Sequence, residues 1–198
     1  MKVIVPMAGL GKRLRPHTLT TPKPLLPIAG KPIVERLVED IASIYQGAIE
    51  EIAFIIGDFG AAVEQQLKLV AQELGAKARI CYQAEPLGTA HAIWQAKESL
   101  DGEVIIAFAD TLFRADFVLD KTKDGVIWVK ALEDPRNFGV VKLDDQGVIT
   151  ELIEKPETPV SNLAIIGIYY IQNGSWLREE IQYLLDHKIM GKGEYQLT

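Results

Sequence analysis

Residues 8–32 read AGLGKRLRPHTLTTPKPLLPIAGKP, a stretch rich in glycine, proline and positive charge that follows a short apolar run. Gly9 and Gly11 carry no side chain, so backbone N–H groups there can approach an anion closely. A loop this long inside a compact domain is uncommon unless it is functional, and we therefore interpret it as a phosphate-binding loop rather than an ordinary surface loop. Of its cations, Lys12, Arg13, Arg15 and Lys23 lie within a short span.

The spacing of this loop excludes two familiar phosphate-binding motifs. A Walker A loop requires Gly-Lys-Ser/Thr with another glycine about five residues before the second one. Here Arg13 follows the Gly-Lys pair, and Pro6 occupies the earlier glycine position. A dinucleotide-binding turn requires G-x-G-x-x-G, and Leu14 replaces the third glycine. The loop is therefore predicted to hold phosphates by another arrangement.

Composition is typical of a globular protein with a single domain, here spanning residues 1–198. The chain is 48% hydrophobic and 24% charged, with a net charge of −6. The first 34 residues nevertheless contain six Lys/Arg and no Asp or Glu, which favours a small polyanion over nucleic acid as the ligand. One cysteine, no signal-peptide pattern and no apolar run of ~20 residues predict a cytoplasmic protein without a membrane helix.

The first half of the chain, to about residue 120, alternates predicted strands with predicted helices. This order predicts a parallel α/β sheet with helices on both faces. Ligands of such sheets bind at the carboxyl ends of the strands, so the loop after residue 7, the turn after residue 83 and Asp110 are expected to share one rim. Strands are predicted over 2–7, 52–56, 78–83 and 104–109, and helices over 32–45, 60–74 and 89–97.

The second half, from about residue 121, consists mainly of strands with little helix between them. A turn at residues 144–147 joins two of the strands into a hairpin. We predict an antiparallel extension that closes one side of the ligand pocket, followed by a final helix over 175–187. The predicted strands cover 125–132, 139–143, 148–153 and 164–171.

Asp110 directly follows the apolar run VIIAFA. A carboxylate at the end of a buried strand can hold Mg²⁺ together with substrate phosphates and water. The alternative is an N-cap for the following residues, since Asp is a favoured cap. Its position at the rim favours the metal ligand.

Residues 83–90, QAEPLGTA, are predicted to form a strand end, a tight turn and a helix start. The Gln83 amide can both donate and accept, which suits the imide edge of a pyrimidine. Gly88 would allow a flat ring to lie against the backbone. The alternative is a strand-to-helix turn without a ligand.

Two further segments are candidates for a sugar phosphate site. Lys155 could bind a second phosphate while Glu154 accepts hydroxyl hydrogen bonds from a sugar, although the two side chains could equally form a surface ion pair. Gly139, in the sequence FGVV, offers a backbone that could approach the same sugar.

Taken together, these segments resemble the sugar-phosphate nucleotidyltransferases, and glucose-1-phosphate thymidylyltransferases and their uridylyl relatives most of all. The resemblance covers nearly the whole chain and is strongest in the first, second and fifth of its motifs. In chain order these are AGLGKRLRPHTLTTPKPLLPIAGKPI, QAEPLGTAHAI, FAD, DPRNFGVV, IEKP and SNLAIIGIYY. It implies a Rossmann-like, mostly parallel sheet flanked by helices, with an antiparallel sugar-binding extension.

The resemblance also implies residue roles. Arg13 and Lys23 are the expected catalytic residues, Arg13 at the departing pyrophosphate and Lys23 near the phosphates being exchanged. Asp110 matches a ligand of Mg²⁺, the one cofactor expected. The expected nucleotide-binding residues are Ala8, Gly9, Gly11, Lys12, Gln83, Pro86 and Gly88. The expected sugar-phosphate-binding residues are Gly139, Glu154, Lys155 and Ile165.

Two departures from the family pattern stand out. Lys12 replaces a threonine that many relatives carry, which adds charge but should preserve the glycine geometry. A second metal-binding aspartate is expected beyond residue 198, so we expect the chain to be part of a longer enzyme; the alternative is that metal binding rests on Asp110 alone.

The implied reaction is transfer of a nucleoside monophosphate from dTTP or UTP to a sugar 1-phosphate, most simply glucose 1-phosphate, with release of pyrophosphate. The alternatives are a mannose-1-phosphate guanylyltransferase and a non-catalytic regulatory domain that binds a nucleotide sugar. The expected partners are these small molecules, without nucleic acid or membrane, and a homo-oligomer is compatible with the sequence.

Overall fold

The structure, a computed structural model, describes residues 1–9, 11, 14–114, 118–158 and 160–198. Two predicted site residues, Lys12 and Arg13, lie outside the described residues. The strands are β1 (Lys2–Pro6), β2 (Pro27–Ile28), β3 (Lys31–Pro32), β4 (Glu51–Ile56), β5 (Lys77–Tyr82), β6 (Val104–Ala107), β7 (Gly125–Ala131), β8 (Gly139–Leu143), β9 (Ile149–Glu154) and β10 (Leu163–Ile171). The helices are α1 (Ile33–Tyr45), α2 (Ala61–Glu73), α3 (Thr89–Trp94) and α4 (Gly174–Asp186).

One eight-stranded sheet runs through both halves of the chain in the order β5-β4-β1-β6-β10-β8-β9, with β7 paired to β10. The four strands of the first half, β5, β4, β1 and β6, are parallel to one another. Strand β10 is antiparallel to β6, β7 and β8, and β8 is antiparallel to β9. The expected mostly parallel sheet with an antiparallel extension is therefore confirmed.

Alternation along β1 distributes its side chains between the two faces of the sheet. Val3 and Val5 belong to a buried cluster that contains the apolar faces of α1 and α2. Ile4 points to the opposite cluster, which contains Ile93 of α3 and Ile181 of α4. Helices thus cover both faces, and the carboxyl ends of the parallel strands remain as an accessible rim. In the described ranges, no helix is long and apolar enough to cross a membrane.

Three details differ from the sequence-based expectation. Pro32 is the N-cap of α1, with ψ of 145°, rather than its first helical residue. Helix α3 ends at Trp94, and a separate 3-10 turn follows over Lys97–Ser99. The predicted phosphate-binding loop, residues 8–32, contains a small antiparallel hairpin, β2–β3, held by backbone pairing between Ile28 and Lys31. Strands of two residues leave no hydrophobic period in a sequence, so the pattern could not predict them.

A hydrogen-bonded carboxylate joins the two halves at the end of the sheet opposite the rim. Glu103 accepts hydrogen bonds from the hydroxyl groups of Tyr45 and Tyr170, both at 2.7 Å. Both hydrogen bonds hold the pKa of Glu103 below its ordinary value, and the bond from Tyr45 has the larger effect. Burial and the bond to Glu103 raise the pKa of Tyr45 to about 12. The contact lies away from the predicted site, so its role is structural.

Candidate active site

Lys23 and Asp110 are brought together although 87 positions separate them in the chain. Lys23 begins a 3-10 turn between Pro22 and Pro24, and Asp110 lies just beyond the end of β6. The Lys23 Nζ to Asp110 Oδ2 distance is 3.3 Å, with 60% of the Asp110 side chain exposed. Such an exposed pair contributes only about 0–1 kcal/mol to stability. Its main consequence is that a cation and a carboxylate face solvent together at the rim.

The alternative role of Asp110 as an N-cap is not supported. Residues 111–114 are not helical, and the side chain of Asp110 is contacted by Thr111 Oγ1 at 3.5 Å and by Lys23. One accessible carboxylate, with phosphate and water oxygens as the other ligands, fits the way proteins usually hold Mg²⁺. In the part of the chain that the structure describes, no three His, Cys, Asp or Glu side chains cluster as metal ligands. The role of Asp110 as a metal ligand stays a prediction.

Gly11 anchors the phosphate loop to Lys23. It has φ of +57°, and the Thr18 hydroxyl donates to its carbonyl oxygen at 2.8 Å. A Cβ at this position would lie 3.0 Å from Thr18 Cγ2 and 3.1 Å from Lys23 Cβ. The missing side chain is therefore needed for close packing on Lys23, a reason that the sequence did not indicate. A Cβ added at Gly9 would meet no atom within 4 Å. Ala8, which precedes it, is half-buried.

The predicted base-reading residues lie together after β5. The backbone N–H of Gln83 donates to Ile56 at 2.9 Å, and its side-chain Nε2 lies 3.3 Å from the carbonyl oxygen of Gly88. Pro86 is exposed in the turn between them. The structure gives a physical reason for glycine at position 88 that differs from the predicted one. Its φ is +113°, and a Cβ there would lie 2.4 Å from the backbone oxygen of Tyr195.

All four predicted sugar-phosphate residues form one cluster in the second half. Gly139 of β8 pairs with Glu154 of β9, and a Cβ on Gly139 would lie 3.0 Å from Glu154 Oε2 and 3.3 Å from Ile165 Cδ1. Lys155 Nζ lies 3.0 Å from Glu154 Oε1. Lys155 also has φ of +44°, a conformation that is unusual for a residue with a side chain. Such strain is often found at functional sites, which supports a binding role for this turn.

Tyr169 lies close to this cluster. Its ring packs edge-on against Phe108, with the ring centres 6.3 Å apart. Burial, and to a smaller extent the charge of Glu154, raises the pKa of Tyr169, so its hydroxyl group stays protonated at neutral pH.

The last four residues, 195–198, connect the predicted base-reading turn, residues 83–90, to the predicted sugar-phosphate cluster around Glu154. The Tyr195 N–H donates to Leu87 at 2.8 Å, and the Tyr195 carbonyl accepts from Ala90 at 2.9 Å. At the other end, Thr198 Oγ1 donates to Glu154 Oε2 at 3.4 Å. The sequence pattern predicts no strand or helix after residue 187, so this segment was missed. The available signal was the alternation of Tyr195 and Leu197 with polar residues, which is typical of an extended segment with one buried side.

The structure thus assembles three groups along one rim: Lys23 with Asp110, Gln83 with Gly88, and the cluster around Glu154. By its fold the chain belongs to the class of mixed α/β proteins in which helices flank a mostly parallel sheet. A solved crystal structure of UDP-glucose pyrophosphorylase complexed with UDP-glucose superimposes with a TM-score of 0.76. The superposition covers 100% of this chain and 83% of that one at 24% identity, and it therefore supports a conclusion about the fold alone.

A family model described as nucleotidyl transferase matches residues 2–189, and the chain belongs to this family. Its relatives include a low-salt glycan biosynthesis nucleotidyltransferase, Agl11, from Haloferax volcanii, 37% identical over 85% of the chain and 48% of the relative. A bifunctional protein GlmU from Methanocaldococcus jannaschii is 34% identical over 100% of the chain and 45% of the relative.

A third relative is the mannose-1-phosphate guanylyltransferase catalytic subunit beta of Drosophila melanogaster, 33% identical over 85% of the chain and 47% of the relative. The chain therefore spans about half the length of the curated relatives it matches. The resemblance to sugar-phosphate nucleotidyltransferases is confirmed at the level of the family, and the finer likeness to thymidylyltransferases stays a prediction.

Proposed function

We propose that this chain forms the nucleotidyltransferase part of an enzyme that transfers a nucleoside monophosphate from a nucleoside triphosphate to a sugar 1-phosphate. The observation that carries this proposal is the contact between Lys23 and Asp110 at the carboxyl edge of the parallel sheet. It places a cation beside a predicted metal ligand where α/β sheets bind nucleotides. The cluster around Glu154 and Lys155 supports a second binding region for the sugar phosphate.

The proposed reaction needs no covalent intermediate on the protein. An anionic oxygen of the sugar phosphate attacks the α-phosphorus of the triphosphate, a new P–O bond forms, and the bond to the departing pyrophosphate breaks. Because two polyanions must approach each other, catalysis consists mainly of positioning and charge neutralisation.

The side chains divide this work between the two reactants. Lys23 stabilises charge near the α-phosphate, and Lys155 holds the incoming phosphate. Arg13 is predicted to hold the pyrophosphate, although it lies outside the described residues. Mg²⁺, held by Asp110, would supply additional charge neutralisation and orientation at the phosphates.

For the base we propose a pyrimidine triphosphate, dTTP or UTP, with glucose 1-phosphate as the simplest acceptor. The Gln83 amide at the end of β5 supports this choice because the hydrogen-bonding groups of an amide suit the edge of an imide. The Drosophila relative favours a second candidate, transfer of guanylate to mannose 1-phosphate. A panel of dTTP, UTP, GTP, CTP and ATP with Mg²⁺, measured by thermal shift, separates these two proposals. Stabilisation by GTP alone would overturn the pyrimidine proposal.

The catalytic assignment is tested by replacing Lys23 with Ala and Asp110 with Asn in separate variants. Each change should reduce pyrophosphate release in a coupled assay by about a hundredfold or more while the folded state persists, because each removes one charge contact to the phosphates. Lys123→Ala offers a control, since it removes an exposed lysine from the second half. If the site variants retained full activity, the roles assigned to both residues would be wrong.

The non-catalytic alternative makes a different prediction for ligand binding and for the pyrophosphate-release assay. A regulatory domain would bind a nucleotide sugar tightly and release no pyrophosphate, even when the downstream sequence is present. Turnover of a triphosphate and a sugar 1-phosphate therefore decides between an enzyme and a binding module.

A further inference from the structure

His91 contacts the side chain that is proposed to read the base. Gln83 Nε2 lies 3.3 Å from His91 Nδ1 as well as 3.3 Å from the Gly88 carbonyl oxygen. His91 is on α3, the short helix that begins directly after Gly88. The amide nitrogen of Gln83 thus faces two potential acceptors, one on the backbone and one on the imidazole ring.

The Gly88 contact determines which way the Gln83 amide points. A carbonyl oxygen can only accept, so the amide NH₂ must face it, and a flipped amide would place two oxygens about 3.3 Å apart. With Nε2 fixed in this way, its second hydrogen points toward His91. Among the described residues, no donor reaches Gln83 Oε1, so this oxygen is the group that remains for a ligand.

A second glutamine lies on the other side of the imidazole. Gln95 Nε2 is 3.3 Å from His91 Nε2 and donates to the His91 carbonyl oxygen at 3.1 Å. A neutral imidazole has one lone pair and one N–H, so only one of the two glutamines can donate to the ring. Gln95 keeps its backbone partner in either tautomer. Gln83 likewise keeps the Gly88 carbonyl oxygen in either tautomer. In the tautomer with the lone pair on Nδ1, the ring receives the remaining hydrogen of Gln83.

We propose that His91 is a positioning residue that makes Gln83 present only an acceptor to the nucleotide base. This inference rests on the proposed function, in which Gln83 reads the base. With both amide hydrogens bound within the protein, Oε1 selects bases that carry a ring N–H on the pairing edge, which thymine and uracil have at N3 and guanine at N1. Cytosine presents a lone pair at N3 and is disfavoured.

Two isosteric substitutions test this role. Asn places its Oδ1 where the histidine Nδ1 lies, because both atoms are bonded to Cγ, and so retains an acceptor. Leu has nearly the same shape as Asn and removes it. The variants His91→Asn and His91→Leu therefore differ in one hydrogen-bonding group, and Gln95→Ala removes the competing glutamine as a further control.

The readout is the dissociation constant of the 198-residue chain for dTTP, UTP, GTP and CTP with Mg²⁺, measured by titration calorimetry. His91→Leu should weaken binding of the preferred triphosphate about three- to tenfold and reduce its preference over CTP by a similar factor, as expected for the loss of one hydrogen bond. His91→Asn and Gln95→Ala should remain within about twofold of the unmodified chain. Circular dichroism verifies that all three variants are folded.

Each other result overturns the inference in a distinguishable way. Equal binding by the Asn and Leu variants, or an equal loss for all four triphosphates, would leave His91 with a structural role only. If Gln95→Ala weakened binding as much as His91→Leu, the loss would reflect disturbed packing around the imidazole and not the hydrogen bond from Gln83. If the unmodified chain bound none of the triphosphates, the proposed function itself would fail, whatever the variants did.

Discussion

Replacing Gly88 with Ala tests the contact between the base-reading turn and the C-terminal segment. Two costs are expected. Gly88 has φ of +113° and ψ of 178°, a region that is nearly confined to glycine, so a side chain there costs about 1–3 kcal/mol. The new Cβ would also lie 2.4 Å from the Tyr195 oxygen and 2.7 Å from its nitrogen, so the Tyr195 backbone must move.

The second cost follows from the hydrogen bonds that this movement breaks. Tyr195 bonds to Leu87 at 2.8 Å and to Ala90 at 2.9 Å, and each bond is worth about 0.5–1.5 kcal/mol. Displacing Tyr195 therefore adds roughly 1–3 kcal/mol to the backbone strain. For a domain of this size, that addition lowers Tm by about a further 2–12 °C.

Gly60 provides a matched control for the strain. It is the N-cap residue of α2, has φ of 81° and ψ of 163°, and has no atom within 4 Å of its Cβ position. Gly60→Ala should therefore show the strain without the displacement. The free energy of unfolding of both variants can be measured by urea denaturation, monitored by tryptophan fluorescence.

A truncated chain that ends at residue 194 completes a double-mutant cycle. Without Tyr195, the excess cost of Gly88→Ala over Gly60→Ala should disappear. If the two alanine variants lost the same stability within about 0.5 kcal/mol in the 198-residue chain, the packing of Tyr195 on Gly88 would be refuted.

Further predictions concern the sugar-phosphate cluster and the distant carboxylate. Gly139→Ala should raise KM for the sugar phosphate about tenfold or more by displacing Glu154, whose Oε2 would lie 3.0 Å from the new Cβ, whereas Gly147→Ala, with open space in the same half, should leave KM unchanged. Equal KM values in the two variants would contradict this. Glu103→Gln should reduce stability at pH 7 by on the order of 1 kcal/mol, because the carboxylate accepts hydrogen bonds from two tyrosines. Since folding lowers the pKa of Glu103, its contribution is complete above the ordinary value of 4.5 and is lost as the pH falls through the lower folded value. Acid denaturation should thus be shallower in the variant, and an unchanged profile would rule out this linkage.

The sequence predicted the parallel half of the fold because apolar runs and helical periods alternate there. It also predicted which residues of the second half belong together, as Gly139, Glu154 and Lys155 do in the hairpin of β8 and β9. The contact between Lys23 and Asp110 could not be foreseen. Only the folded loop shows that Lys23 reaches this carboxylate.

Other features were missed because they depend on packing between distant segments. The need for glycine at position 88 comes from Tyr195, more than a hundred residues further along the chain. The imidazole of His91 lies within hydrogen-bonding distance of Gln83 only because a turn brings the start of α3 back toward β5. A periodic pattern reports which side of an element is buried, and it does not report its neighbours.

Strand β10 belongs to both halves of the molecule at once. Its residues 168–171 pair with β6 of the parallel half, whereas Ala164 pairs with β8 of the extension. Removing β10 would deprive each half of a neighbouring strand, so we expect the two halves to melt in one cooperative transition rather than as separate units. A ligand bound in either half should consequently protect backbone amides from hydrogen exchange in the other.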